Sequence, residues 1–141
     1  MAIKFAVAPK TIILCDYSRG GFRPPEMVKR RPAVVIMGRL PRRDNLITLV
    51  PLSGTESDSR NKYHCRIDLP EPLPEPYAQT TWWVKADMIA TVGLDRLDLF
   101  QTDRDQYGKR KYFTNLKVSD TQFDEIRLAV RHALGLPVDN T

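Results

Sequence analysis

The chain has 141 residues, 42% of them hydrophobic and 28% charged, which fits one folded domain and excludes a disordered tail or a fibrous, collagen-like chain. No stretch is apolar for long enough to span a bilayer, and the opening MAIKFAVAPK lacks the apolar core and small-residue cleavage site of a secretory signal, so a cytoplasmic protein with no membrane partner is expected. The net charge of +5 is unevenly placed: Arg19, Arg23, Lys29, Arg30, Arg31, Arg39, Arg42 and Arg43 stand against Glu26 alone, a stripe that attracts polyanions such as nucleic acid.

In chain order, Thr11 to Asp16 (TIILCD) and Pro32 to Met37 (PAVVIM) are β-branched apolar runs that predict two strands. The segment between them, SRGGFRPPEMVKRRP, predicts a long loop, and loops of that length in compact domains are commonly functional. Leu46 to Leu52 (LITLVPL) is the next predicted strand, with Pro51 indicating an edge or an end. Lys62 to Leu69 (KYHCRIDL) alternates as a fourth. PEPLPEP, Pro70 to Pro76, lacks the ladder donors a sheet needs and predicts a surface loop. Trp82 to Val92 (WWVKADMIATV) predicts a further strand or strand pair.

A helix is predicted only near the end of the chain. Ser119 and Gln122 have capping-box spacing, Phe123, Ile126, Val130 and Ala133 with Leu134 recur at helical period, and Gly135 and Pro137 terminate the run. The whole reads as mainly β with a C-terminal α-helix, a small barrel carrying one amphipathic helix in a single domain over residues 1–141, with its core at about 11–136. Cys15 and Cys65 are expected to be reduced, buried thiols. His64 and His132 stand in no Cys/His/Asp cluster, so neither a metal nor a cofactor is expected.

The candidate chemistry lies in cations, a hydroxyl and carboxylates. Arg31 precedes Pro32, which holds it extended at the entry of a strand, a rigid mount for a guanidinium that grips phosphate oxygens. Glu26, the one acid of the stripe, can pair with a neighbouring arginine or sit near a phosphate as base or orienter. Ser53 closes a strand and opens a turn, where serine commonly bonds its own backbone. Lys85 and Asp87, one residue apart, are expected on the same face of a strand. Trp82 and Trp83 offer either a stacking surface for bases or core contacts. Such groups suffice for RNA, whose 2′-hydroxyl can attack its own phosphate while the protein orients, exchanges protons and stabilises the anionic transition state.

These residues resemble the MazF/PemK-type toxins. CDYSRGGFRPPEMVKRRPAVVI carries the family's Glu and its Arg-Pro five residues on, as Glu26 and Arg31-Pro32; LITLVPLS resembles the strand ending in Thr or Ser; WWVKADMIATVGLDRL resembles the segment with a basic residue, a spacer and Asp. The resemblance implies an SH3-like barrel that homodimerises and cleaves single-stranded RNA to a 2′,3′-cyclic phosphate and a 5′-hydroxyl without a metal. It also implies a cognate antitoxin as partner, and operator DNA only together with that antitoxin. Position by position it makes Arg31, Ser53, Glu26 and Asp87 catalytic, with Arg23, Lys29, Arg30 and Lys85 binding RNA. Three departures are visible: Lys29 where many members have Gly, Lys85 for Arg, and Ser53 for Thr. The Pro-rich loop and the polar stretch Thr102 to Lys111 are additional to the family core. A non-catalytic nucleic-acid-binding or topoisomerase-inhibiting toxin is the alternative, since one small barrel supports both.

Overall fold

A computed structural model of the chain describes residues 3, 7–18, 21–102 and 104–138; Arg19 and Gly20 of the basic loop lie outside the described residues. Among the described residues nine strands, β1 (Ile12–Asp16), β2 (Arg30–Met37), β3 (Leu46–Ser53), β4 (His64–Asp68), β5 (Thr81–Lys85), β6 (Ala90–Gly93), β7 (Leu97–Asp98), β8 (Phe100–Gln101) and β9 (Tyr112–Phe113), precede one α-helix, α1 (Asp120–Leu134). Seven strands form one sheet in the order β4-β5-β3-β2-β1-β7, with β6 also paired to β3, while β8 and β9 make a separate hairpin. The strand pairings among the described residues are all antiparallel. The expected barrel is corrected here: the sheet is not closed. Its end strand β7 is only two residues long, and at the other end β4 packs against α1, so the ladder has no route back to its start.

The proline in β3 marks a break and not an edge. β3 pairs along one side with β2, and on the other side with β6 through Leu46–Leu49 and with β5 at Leu52 and Ser53. Pro51, which has no N–H to give a ladder, lies between those two segments, where the partner chain turns through a 3-10 turn, Ala86–Met88. That turn also splits the predicted WWVKADMIATV strand into β5 and β6.

Strand alternation sorts the apolar residues into two layers, one on each face of the sheet. Ile12, Leu14, Val34, Val50, Leu52, Ile67 and Val84 meet Phe123, Ile126, Ala129 and Val130 of α1. Ile13, Cys15, Tyr17, Ala33, Val35, Ile47, Leu49, Val92 and Leu97 form the second layer, with Phe22 and Met27 of the basic loop packed against it. The helix caps are those the spacing predicts: the Ser119 hydroxyl accepts from the Gln122 N–H, the Gln122 side chain accepts from the Ser119 N–H, and Gly135 closes the helix at φ 67°. Leu134 is corrected: it is 55% exposed, because it lies eleven residues, about 16 Å, beyond Phe123, past the part of the helix that covers the sheet. Among the described residues no helix is long and apolar enough to cross a membrane.

Candidate functional site

Register brings two of the candidate residues onto one face of the sheet. Arg31 pairs with Cys15, and two residues beyond the Ala33–Pro51 pair the same register brings it level with Ser53, which pairs in turn with Trp83. Arg31 therefore projects on the face of Cys15 and Ala33, the layer that also holds Tyr17. Its guanidinium carries an Nε that is buried and has no hydrogen-bond partner among the described residues. A buried donor left open in this way is costly unless something else comes to it. Arg31 also lies close enough to act electrostatically on Tyr17; burial pushes that phenol far up, and the Cys15 thiol beside it adds to the rise.

The basic loop between β1 and β2 is anchored by an aromatic residue. Phe22 packs edge-on to Tyr17 with ring centroids 5.5 Å apart, and the Arg96 guanidinium lies 4.6 Å from the Phe22 ring centre. Glu26 ties the next turn: its carboxylate accepts from the Arg23 N–H at 3.1 Å, and its own N–H donates to the Arg23 carbonyl at 2.7 Å. The carboxylate thus orients the loop, and no ion pair to a neighbouring arginine is seen among the described residues. Under this loop opens a cleft of about 450 Å³ lined by Tyr17, Phe22, Glu26, Met27, Asp87 and Met88, which brings Glu26 and Asp87 to one space from positions sixty-one residues apart.

The remaining candidates are placed differently. Ser53 is 6% exposed, and its hydroxyl accepts from the Thr55 N–H at 3.1 Å while keeping a proton to donate. Lys85 and Asp87 do not share a strand face: Lys85 ends β5, Asp87 lies on the 3-10 turn, and the Lys85 ammonium bonds the Ser57 hydroxyl. Burial pushes the Lys85 pKa down while the nearby Asp87 charge pulls it back up. Arg30 bonds Asp98 of β7 at 3.3 Å and braces the sheet edge. Arg23 and Lys29 are exposed on the loop. Trp82 is core, its indole N–H donating to the Gln79 carbonyl at 3.2 Å, whereas Trp83 stays half-buried beside Ser53.

One residue at the site carries no local sequence signal. His64 reaches Asp87, with Nε2 2.7 Å from Oδ1, because β4 pairs with β5 in a register that sets His64 opposite Lys85 and the 3-10 turn then brings Asp87 back. Among the described residues no three His, Cys, Asp or Glu side chains gather as a metal-binding group.

The chain resembles known proteins over most of its length. The Escherichia coli (strain K12) protein YifN is 27% identical over 121 residues, spanning 74% of this chain and 80% of its own. An uncharacterized protein of Haemophilus influenzae is 34% identical over 97 residues, spanning 61% of this chain and 65% of its own. Among solved structures, a mycobacterial endoribonuclease in complex with its cognate antitoxin superposes with a TM-score of 0.61 at 21% identity, covering 95% of this chain and all of that one. MazF from Deinococcus radiodurans superposes with a TM-score of 0.57 at 13% identity, over 94% of this chain and all of that one. At those identities the superpositions establish the fold. The model of the PemK-like, MazF-like toxins of type II toxin–antitoxin systems matches residues 9–134, and the chain belongs to that family.

Proposed function

We propose that this protein is the toxin of a type II toxin–antitoxin system and acts as an endoribonuclease on single-stranded RNA, without a metal ion. The observation that carries the proposal is Arg31: a guanidinium fixed on a strand, its Nε without a hydrogen-bond partner among the described residues, on the sheet face shared with Ser53. Such a group is preorganised for an oxyanion and unsatisfied without one. The 2′-oxygen of the RNA attacks the adjacent phosphorus, its proton passes to Asp87 or Glu26, and the bond to the 5′-oxygen breaks as that oxygen takes a proton from water, which the protonated carboxyl then replenishes. The products are a 2′,3′-cyclic phosphate and a 5′-hydroxyl. Arg31 bears the charge that grows on the non-bridging oxygens, and Ser53 gives one of them a hydrogen bond. Arginine keeps its proton, so the base is a carboxylate. Arg23, Lys29, Arg30 and Lys85 add the field that gathers RNA. The proteins it resembles in fold include endoribonucleases, one with an antitoxin bound, and we extend to this chain an antitoxin partner and a homodimer, with operator DNA bound only in the antitoxin's company.

The test is incubation of the purified protein with a long mixed-sequence single-stranded RNA in EDTA, beside Arg31→Ala, with the ends mapped. Site-selective cuts bearing cyclic phosphate, lost on the order of 10²-fold or more in the variant, are expected. Intact RNA from folded wild-type protein overturns the proposal.

A further inference from the structure

We infer that His64 is a positioning residue for Asp87, holding that carboxylate in the attitude from which it takes the 2′-hydroxyl proton; the inference rests on the ribonuclease activity proposed above. The two side chains meet end to end at 2.7 Å, yet they are unequally sheltered: the imidazole is 13% exposed and the carboxylate 42%. The ring is therefore the inner member of the pair. The carboxylate is the outer one, and it lines the same cleft as Glu26. Since His64 engages Oδ1, the second oxygen, Oδ2, is left for the cleft.

The other ring nitrogen defines the direction of the bond. Nδ1 is buried and has no hydrogen-bond partner among the described residues, so a neutral ring carries its proton on Nε2, where an acceptor waits, and donates to Asp87. The edge of the Tyr63 ring, 4.6 Å away between centroids and at 75°, fixes the plane of the imidazole. Lys85, opposite His64 in the ladder, is engaged by Ser57 and leaves the histidine as the donor to Asp87. The other charged or titratable groups around the ring come from Lys62 and Arg66 beside it and from Glu125 and His132 of α1. A bond from the imidazole orients the carboxylate and fixes which of its oxygens faces the cleft.

The experiment follows kcat and KM for one short RNA with a single cut site, from about pH 5 to 9, in wild type, His64→Ala, His64→Gln, Asp87→Asn and His64→Ala/Asp87→Asn, each checked for a native circular dichroism spectrum. His64→Ala is expected to lower kcat on the order of 10²-fold with KM little changed. His64→Gln, whose amide can donate from nearly the same place, is expected to recover most of kcat. The double variant is expected to be no slower than Asp87→Asn, because the two residues act as one unit. Unchanged kcat in His64→Ala, or additive losses in the double variant, overturns the inference while leaving the ribonuclease activity standing. If the alanine variant does not fold, His64→Leu takes its place, and a kcat equal to that of His64→Gln overturns the inference. Absence of cleavage by wild type overturns the ribonuclease activity and this inference together.

Discussion

Ser53 shows how a turn residue can also be a chemical one. Its oxygen is committed to the Thr55 N–H while its proton remains to be given, so the position requires a hydroxyl and tolerates an added methyl poorly or well according to the space beside Trp83. Ser53→Ala is expected to lower cleavage by about 10-fold or more, whereas Ser53→Thr keeps activity within a few-fold, as initial rates on one RNA would measure. Equal rates in all three would reduce Ser53 to its turn. At this scale the sequence was informative where local chemistry constrains a residue. Pro32 dictates an extended Arg31, and a serine closing a strand bonds its own turn. It was silent on His64, whose partner is 23 residues away and is reached only through the β4–β5 register. It was misleading for Lys85 and Asp87, since alternation holds only while the strand continues and the 3-10 turn ends it at Lys85.

The longer elements were legible because each carries its own period and its own stop signal; β7, β8 and β9, two residues each, are too short to carry one. Strands one to four start and end within about two residues of their apolar runs, and the helix lies between the capping box and the glycine that announce it. The break opposite Pro51 was not legible as such, because a missing N–H says only that a ladder fails there and not which partner leaves it. The N-terminus of the helix does more than start the helix: the Gln122 amide, besides closing the capping box, donates to the Asp68 carbonyl at 2.8 Å and so fastens the helix to the end of β4. Ser119→Ala is expected to cost about 1 kcal/mol. That corresponds to a fall in Tm of roughly 3–5 °C in a calorimetric scan. An unchanged Tm would show that Gln122 holds the cap without its serine.

For the molecule as a whole, the mainly β architecture with one terminal helix followed from the order of elements, but closure of the sheet did not. Closure depends on whether the two end strands meet, and no local pattern encodes that encounter. The sheet separates two apolar layers, and each contains one thiol: Cys15 on the side of the basic loop, Cys65 on the side of the helix. Burial raises Cys15 from 9.0 to about 11 and Cys65 from 9.0 to about 12. The unfolded chain therefore surrenders these protons first as the solution becomes alkaline. This contribution to stability is intact below about pH 9 and is lost progressively between pH 9 and 12, the folded values setting the upper limit. Urea unfolding midpoints should fall over that window and fall less in Cys15→Ser/Cys65→Ser, once each is referred to its own value at pH 8; parallel curves would contradict the assignment. The two sulfurs are also natural gauges of local opening. An aromatic disulfide reagent that colours on reaction would time the lifting of the loop-side layer at one cysteine and of the helix-side layer at the other, so an RNA fragment under the loop should slow the first clock and leave the second running.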